Sequence, residues 1–205
     1  MILITGATGY LGQELLKHFA SEQVILFTDR LQVSVNDLMC NYSSSNITHI
    51  YHLAAPTTED DFAALGKSQL YKSIIKGTQT IIEFANQINA KVIYFSTEGI
   101  LEDMNTCNDY CRFKKIATDM VNYISNDYKI LVIPRVYSSD RKKGLIKALR
   151  EDKVPEADMD NRVTYIDLKS FIKQFKKFIK SSDKIHYFKN KEESSLRELK
   201  DKYIA

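Results

Sequence analysis

The amino-acid sequence predicts an α/β fold built on a doubly wound parallel sheet, in which helices cover both faces. Short apolar runs, typical of strands buried on both faces, alternate along the chain with segments of helical periodicity. The predicted strands are Ile2–Thr5, Val24–Thr28, Ile47–Leu53, Lys91–Ser96 and Lys129–Ile133. A glycine-rich turn directly follows the first strand, which is where sheets of this kind place a ligand-binding turn.

The turn after the first strand carries glycines at a G-x-x-G-x-x-G spacing, at Gly6, Gly9 and Gly12. Gly6 allows a tight exit from the strand, and Gly12 lets the next helix lie close to the strands. At Gly9 the absence of a side chain lets a pyrophosphate reach the backbone amides of the helix N-terminus. The turn, with an acid after the second strand, predicts a dinucleotide-binding βαβ unit. The turn residues predicted to contact the cofactor are Gly6, Thr8, Gly9, Tyr10, Leu11 and Gly12.

Two residues after the second strand bear on the choice between NAD and NADP. Asp29 can accept hydrogen bonds from the ribose diol of NAD, whereas Arg30 beside it can hold the 2′-phosphate of NADP. The sequence favours NAD and leaves NADP open. After the third strand, Leu53, Ala54 and Ala55 let a flat ligand lie against the strand end. Tyr110 and Lys114 complete the predicted cofactor site, because the lysine can reach the nicotinamide ribose.

Two long segments of helical periodicity flank the fourth strand, at Phe62–Asn89 and Asp109–Asn126. The second begins with Tyr110 and Lys114, whose i, i+4 spacing places the phenol and the ammonium on one helix face. A free tyrosine has a pKa near ~10, and a nearby positive charge lowers it. Thr97, at the end of the fourth strand, can hydrogen-bond a substrate oxygen. Together these residues predict a proton-transfer site for the interconversion of alcohols and carbonyls.

The composition argues against several classes of function. A formal charge of +3 is too small to indicate nucleic-acid binding by itself. The lysines along the amphipathic segment Leu168–Lys180 fit a solvated helix face better than a nucleic-acid or membrane surface. Cys40, Cys107 and Cys111 lack the spacing of a metal site, so we expect reduced thiols and no metal. Because no stretch has the pattern of a signal peptide or a membrane span, we expect a cytoplasmic protein.

Motifs over most of the chain resemble those of the extended short-chain dehydrogenases/reductases, in the group of NAD-dependent sugar-nucleotide epimerases, dehydratases and reductases. The matching segments are Thr5–Gly12, Tyr51–Ala55, Gly77–Thr78, Phe95–Thr97, Tyr110–Lys114, Arg162–Asp167 and Ser194–Leu199. The resemblance implies a Rossmann fold, with Thr97, Tyr110 and Lys114 as the catalytic triad and NAD(P) at the glycine turn. It also implies a nucleotide-sugar substrate and a homodimer formed through the two long helices.

The chain departs from this family at positions that bear on the reaction. Ile74 stands where the family has an asparagine, three places before Gly77. Glu98 is followed by Gly99, so one of the two carboxyls that a dehydratase of the group uses is missing. A decarboxylase of the group does place a glutamate there, and Glu98 is a weak substrate candidate. Keto-sugar reduction or C4 epimerisation needs only the triad and the nicotinamide, and the sequence favours these reactions.

Members of this family are usually longer than this chain, and most of the shortfall lies in the substrate-binding part. We therefore expect a cofactor-binding domain over residues 1–137 and a reduced substrate lobe over residues 138–205, packed on the first and partly interwoven with it. Arg135, Lys143 and Arg150 are weak candidates for contacts with the substrate. Two alternatives stay open: a non-catalytic nucleotide-binding or assembly protein that kept the fold, and a reductase of a small non-sugar carbonyl compound.

Overall fold

The computed structural model describes residues 1–19, 24–27, 34–56, 66–141 and 144–204. The chain divides into two compact units. The first contains Met1–Val132 and Asp183–His186, and the second contains Ile133–Ser182 and Tyr187–Ala205.

The first unit alternates strands and helices along the chain. Its strands are β1 (Ile2–Thr5), β2 (Val24–Phe27), β3 (His49–His52), β4 (Lys91–Thr97) and β5 (Tyr128–Ile133). Its helices are α1 (Tyr10–Leu16), α2 (Val35–Tyr42), α3 (residues 66–71), α4 (Gly77–Ile88) and α5 (Asp109–Ile124). A π-helical segment, Lys72–Lys76, joins α3 to α4, and a 3₁₀ turn, Glu98–Leu101, follows β4.

In the described residues, six strands form one sheet in the order β2-β1-β3-β4-β5-β8, where β8 is Ile185–Tyr187. The pairs β1/β2, β1/β3 and β3/β4 are parallel. Because β2 and β3 lie on opposite sides of β1, the strand order reverses at β1, and open parallel sheets bind ligands at such a reversal. The predicted α/β class with a doubly wound parallel sheet is confirmed.

The core of the first unit lies between this sheet and its helices. Leu3, Ile50 and Val92 are fully buried and lie side by side in register on β1, β3 and β4. Phe84 from α4 and Val121 from α5 are also fully buried in the same cluster. Burial of each such side chain stabilises the fold by about 1.5–3 kcal/mol. Helices therefore form where an apolar stripe can cover apolar strands.

Both long helices differ slightly from their predicted bounds. The first is described from residue 66 and ends at Ile88, because Asn89 adopts a left-handed conformation with φ 56°. Residues 57–65, which include the predicted start of that helix, lie outside the described residues. The second helix begins at Asp109, as predicted, because the Asn108 side chain accepts a hydrogen bond from the backbone N–H of Cys111 at 2.9 Å.

The second unit has a small sheet of its own. Its elements are β6 (Arg135–Tyr137), α6 (Leu145–Arg150), the 3₁₀ turn Glu156–Asp158, β7 (Arg162–Asp167), α7 (Leu168–Lys180), β9 (Glu192–Ser195) and α8 (Leu196–Ile204). The strand order is β6-β7-β9, with β6 parallel and β9 antiparallel to β7.

The amphipathic helix α7 buries its apolar face and exposes its lysines, as the sequence predicts. Phe171, Phe175 and Phe178 are buried, whereas the lysines of the opposite face are exposed, at Lys169, Lys173, Lys176, Lys177 and Lys180. Among the described residues, no helix combines the length and the apolar character needed to cross a bilayer.

Candidate functional site

The carboxyl ends of β1, β3 and β4 meet at one edge of the large sheet. Thr5, His52 and Tyr94 lie side by side in register near that edge. The glycine turn follows β1, Leu53–Ala55 follow β3, and Thr97 is the last residue of β4. The register therefore brings the predicted cofactor residues and one predicted catalytic residue to the same edge.

The glycine turn has the geometry that a dinucleotide phosphate requires. Gly6 has a φ of 71°, and a Cβ on it would lie 2.7 Å from the backbone nitrogen of Ala54. A Cβ on Gly12 would lie 2.4 Å from the carbonyl oxygen of Gly6, so α1 can approach the turn only with glycine there. Around Gly9, a Cβ would meet one described atom within 4 Å, the Gly6 carbonyl oxygen at 3.2 Å. This side of the turn is open, and the residues present fit the cofactor.

The other predicted turn residues lie beside these glycines. Thr8 is exposed, and Tyr10 and Leu11 begin α1 with part of their surface exposed. Asp29 and Arg30, predicted to distinguish NAD from NADP, lie outside the described residues.

The segment after β3 is bonded to the last residue of β1. The backbone N–H of Leu53 donates to the carbonyl oxygen of Thr5 at 3.2 Å. The backbone N–H of Ala54 donates to the Thr5 hydroxyl, also at 3.2 Å. Leu53, Ala54 and Ala55 therefore lie beside the glycine turn, where the sequence analysis expects them to contact the cofactor.

Thr97 and Glu98 lie where β4 passes into its 3₁₀ turn, and both are partly exposed. The Thr97 hydroxyl accepts a hydrogen bond from the backbone N–H of Gly99 at 3.5 Å. A Cβ on Gly99 would lie 2.3 Å from Cys111 Sγ, so this turn packs tightly against the first turn of α5. Since Tyr110 is in that turn of α5, Thr97 and Tyr110 are brought to neighbouring segments.

Lys114 is directed inward, toward β4. The side chain is 3% exposed, and Nζ donates a hydrogen bond to the carbonyl oxygen of Phe95 at 2.6 Å. Nζ also lies 4.2 Å from the centroid of the Tyr94 ring. No carboxylate among the described residues forms an ion pair with it. Burial lowers the pKa of Lys114 from its ordinary 10.5 to about 7.

The pKa of Tyr110 moves in the opposite direction from the one the sequence predicts. Burial, together with the neighbouring Cys111 thiol, raises it above its ordinary value. The predicted lowering by Lys114 is absent, since its ammonium binds the Phe95 carbonyl oxygen on β4 and lies over a ring of the same strand. In this arrangement the phenol of Tyr110 keeps its proton at neutral pH.

Thr5, His52 and Thr78 form a chain of hydrogen bonds beneath this edge, and the sequence did not predict this connection. His52 accepts or donates hydrogen bonds on both ring nitrogens, with Thr5 Oγ1 at 2.7 Å and Thr78 Oγ1 at 3.1 Å. The interpretation of His52 as a satisfied core residue is confirmed. Burial and the charge of Lys114 lower the pKa of His52 to about 3, so the ring is neutral. The available signal was a polar residue at the same register position of neighbouring apolar strands, His52 beside Tyr94.

The weaker substrate candidates belong to the second unit, apart from Glu98. Arg135 is exposed on β6. Arg150, at the end of α6, donates hydrogen bonds to the carbonyl oxygens of Ser139 at 2.5 Å and Arg141 at 3.2 Å. Lys143 lies outside the described residues.

Several solved structures share this fold. A dTDP-4-dehydrorhamnose reductase from Bacillus anthracis, in complex with NADP, is 19% identical, with 98% of this chain and 79% of that one covered and a TM-score of 0.80. The enzyme WbmG from Bordetella bronchiseptica, in complex with NAD and UDP, is 17% identical. The match covers 98% of this chain and 76% of WbmG, with a TM-score of 0.77. The ADP-L-glycero-D-manno-heptose-6-epimerase from Helicobacter pylori is 18% identical, with 98% and 80% covered and a TM-score of 0.74.

Sequence comparison goes beyond the fold. No curated protein sequence matches the chain. Residues 2–151 match the family model described as the NAD dependent epimerase/dehydratase family. This match spans most of the chain, including the glycine turn, Thr97, Tyr110 and Lys114. The predicted resemblance and the nicotinamide dinucleotide as cofactor are thereby confirmed: the chain belongs to the NAD-dependent epimerase/dehydratase family.

Proposed function

We propose that the protein is an NAD(P)-dependent oxidoreductase or epimerase that acts on a hydroxyl or keto group of a nucleotide-activated sugar. The observation that carries this proposal is the placement of Tyr110 and Lys114. They lie at the start of α5, which packs against the carboxyl end of β4 at the sheet edge that also holds the glycine turn. Membership of the family supports it, as does the likeness to a dTDP-4-dehydrorhamnose reductase and an ADP-heptose epimerase.

The residues that would hold the cofactor are those of the glycine turn, Gly6–Gly12, and of the segment Leu53–Ala55. Asp29 would favour NAD, and Arg30 would favour NADP. When bound, the nicotinamide supplies or accepts the hydride. The chain itself orients the substrate oxygen and handles the proton.

Tyr110 is the proposed acid. In ketone reduction the carbonyl carbon gains a hydride and the carbonyl oxygen gains a proton, which the Tyr110 hydroxyl donates. A phenol whose pKa is raised by burial stays protonated and suits this role better than that of a base. Thr97 would orient the substrate oxygen by a hydrogen bond, and Lys114 would hold the ribose of the nicotinamide. The same group serves the reverse step, because the acid of a reduction is the base of the corresponding oxidation.

The second unit is the proposed substrate lobe, and it begins at Ile133, five residues before the bound expected from the sequence. Arg135 is the better candidate for a substrate phosphate because its side chain is exposed. The guanidinium of Arg150 already binds two backbone carbonyl oxygens. Glu98 and Lys143 stay weaker candidates.

A homodimer through α4 and α5 is also part of this proposal. On α5, Ile116 is 42% and Tyr123 81% exposed, and Tyr71 before the π-helical segment is 39% exposed. Ile116 and Tyr123, seven residues apart, share one face of α5, and apolar side chains exposed together on a surface mark protein contacts. Light scattering on the wild type should give twice the chain mass, and Tyr123→Glu should give the monomer. A monomeric wild type would contradict the dimer.

The experiment that tests the cofactor site is a fluorescence titration with NADH and, separately, NADPH. We expect saturable binding of at least one, weakened about tenfold or more by Gly12→Ala, because the new Cβ would lie 2.4 Å from a backbone oxygen. Gly77→Ala is the matched control, since the nearest atom to its Cβ would be 3.9 Å away. If neither cofactor binds the wild type at millimolar concentration, the proposed function is wrong.

A screen of keto-sugar nucleotides with the preferred reduced cofactor then tests the substrate class. The expected result is cofactor oxidation with at least one of them. Cofactor binding with no turnover on the panel would favour a non-catalytic nucleotide-binding protein, and turnover on simple ketones alone would favour a small-carbonyl reductase.

A further inference from the structure

Lys114 is a buried cation whose stabilisation needs an explanation. An ammonium removed from water is costly unless hydrogen bonds and charges compensate. Lys114 has one hydrogen-bond acceptor among the described residues, the Phe95 carbonyl oxygen at 2.6 Å, and no carboxylate. A carbonyl oxygen alone leaves two of its three ammonium donors without a described acceptor.

The face of the Tyr94 ring is the second feature that the ammonium meets. Nζ lies 4.2 Å from the ring centroid, well within the range of a cation–π contact, and the ring is 1% exposed. Because both groups are desolvated, the attraction between the cation and the ring is at the strong end of its range. Tyr94 is fixed in turn by its place on β4 beside His52, with ring centroids 5.7 Å apart.

The titratable groups around Lys114 come from three elements. They are His52 from β3, Tyr94 from β4, and Tyr110 from α5 itself. From α4, Thr78 contributes a hydroxyl that does not titrate and that holds the His52 ring. His52 is neutral, and both phenols keep their protons, because burial raises their pKa values. None of these groups supplies a negative charge at neutral pH, so the described support of the cation consists of the Phe95 carbonyl oxygen and the face of the Tyr94 ring.

We propose that Tyr94 is a positioning residue that acts through Lys114, its ring holding the ammonium in place of the carboxylate that usually accompanies a buried lysine. The use of that ammonium in catalysis rests on the proposed function, whereas its position and its charge do not. Tyr94 itself makes no contact with a reacting atom in this account. The Lys114 pKa should therefore depend on the Tyr94 ring and not on the Tyr94 hydroxyl.

The test is the pKa of Lys114, measured by NMR on lysine-labelled protein without cofactor, with Lys114→Arg used to assign the resonance. Tyr94→Phe keeps the ring, and we expect the wild-type value within about 0.3 unit. Tyr94→Leu removes the ring but stays apolar, and we expect the Lys114 pKa to fall by about one unit. Tyr128→Leu is the control, because it removes a ring that lies 4.9 Å from the exposed Lys184 ammonium, and it should leave Lys114 unchanged.

Several outcomes would overturn the proposal: an unchanged or raised Lys114 pKa in Tyr94→Leu, or an equal fall in Tyr94→Phe. Circular dichroism checks that each variant folds, and Tyr94→Met replaces the leucine variant if that one does not. These readouts need neither substrate nor cofactor. A failure here therefore leaves the proposed function standing, and a failed turnover screen leaves this proposal standing.

Discussion

Lys114 and Lys202, one from each unit, both lie over tyrosine rings but in opposite surroundings. Lys114 of the first unit is buried, lies 4.2 Å from the Tyr94 ring centroid and forms no ion pair with a described residue. Lys202 of the second unit lies 5.3 Å from the Tyr165 ring centroid, and its side chain is 45% exposed. Its ammonium also donates to the Glu192 carboxylate and to the Tyr165 hydroxyl.

The two lysines consequently titrate in different ranges. Burial lowers the pKa of Lys114 to about 7, whereas the hydrogen bond that Lys202 donates to the Glu192 carboxylate raises the pKa of Lys202 above its ordinary value. Lys202 is therefore a permanent cation that stabilises its unit. Lys114 can change its charge near neutral pH, at a cost in stability. Such a group is more often kept for chemistry than for structure.

The largest expected effect concerns the phenol next to Lys114. Tyr110→Phe should lower turnover by a factor of ~10²–10⁴, the usual contribution of a positioned acid, and should leave the Kd for NADH within about twofold. The matched control is Tyr165→Phe, which removes the phenol hydroxyl beside Lys202 and should leave turnover unchanged. Steady-state rates and fluorescence titrations measure both. Full turnover in Tyr110→Phe would remove Tyr110 from the mechanism.

The second effect concerns His52, the neutral neighbour of the buried cation. Its pKa is about 3 in the folded protein and 6.5 in an unfolded chain, so the unfolded chain binds more protons between these values. The resulting stability is fully present above pH 6.5 and is lost as the pH falls toward 3, by on the order of 3–5 kcal/mol. His52→Gln should flatten this part of the curve of unfolding free energy against pH, measured in urea. An unchanged slope in His52→Gln would contradict the buried, neutral imidazole.

The third effect tests whether the charge of Lys114 costs stability. Lys114→Met should raise the free energy of unfolding by about 2–4 kcal/mol below pH 7, where the wild type buries a cation. Between pH 7 and 10.5 the unfolded chain holds the extra proton, so the wild type gains stability and the advantage of the variant shrinks. Urea unfolding at pH 6 and pH 10 measures the difference. A variant less stable than the wild type at pH 6 would show that the charged Lys114 side chain stabilises the fold.

The smallest effect has the opposite sign. Lys202→Met should lower the free energy of unfolding by about 1 kcal/mol or less, because a partly exposed ion pair with Glu192 is lost. The same urea series reports it. A stabilisation similar to that expected for Lys114→Met would abolish the contrast between the two lysines.

Five of the six described strands of the large sheet could be predicted from the sequence because they lie in apolar runs, whereas β8, with the sequence Ile-His-Tyr, was missed because it has no such pattern. β1 and β4 are examples of such runs, and the glycine turn follows from the tight approach of the chain at Gly6 and Gly12. The strands of the second unit were harder. β9 is the polar tetrapeptide Glu-Glu-Ser-Ser, and it is a strand because it pairs with β7 and not because of its own pattern.

At the site, spacing in the sequence predicted which residues take part. Tertiary packing determined their hydrogen-bond partners and their pKa values. The i, i+4 spacing correctly placed Tyr110 and Lys114 on one helix. It could not predict that the Lys114 ammonium binds the Phe95 carbonyl oxygen, because this depends on how α5 packs on β4. The direction of the Tyr110 pKa followed from that packing. Thr97 and the cofactor residues stay predictions of role, at positions that the structure brings to one edge.

The most direct test of this account is an NMR titration of the wild-type lysine side chains from pH 5 to pH 11, roughly the range between acid unfolding and lysine ionisation. The account predicts that Lys114 loses its proton near pH 7 while Lys202 keeps its proton to the end of the range. If Lys114 titrates with the exposed lysines, the proposed site does not contain a buried cation that lacks a carboxylate partner among the described residues.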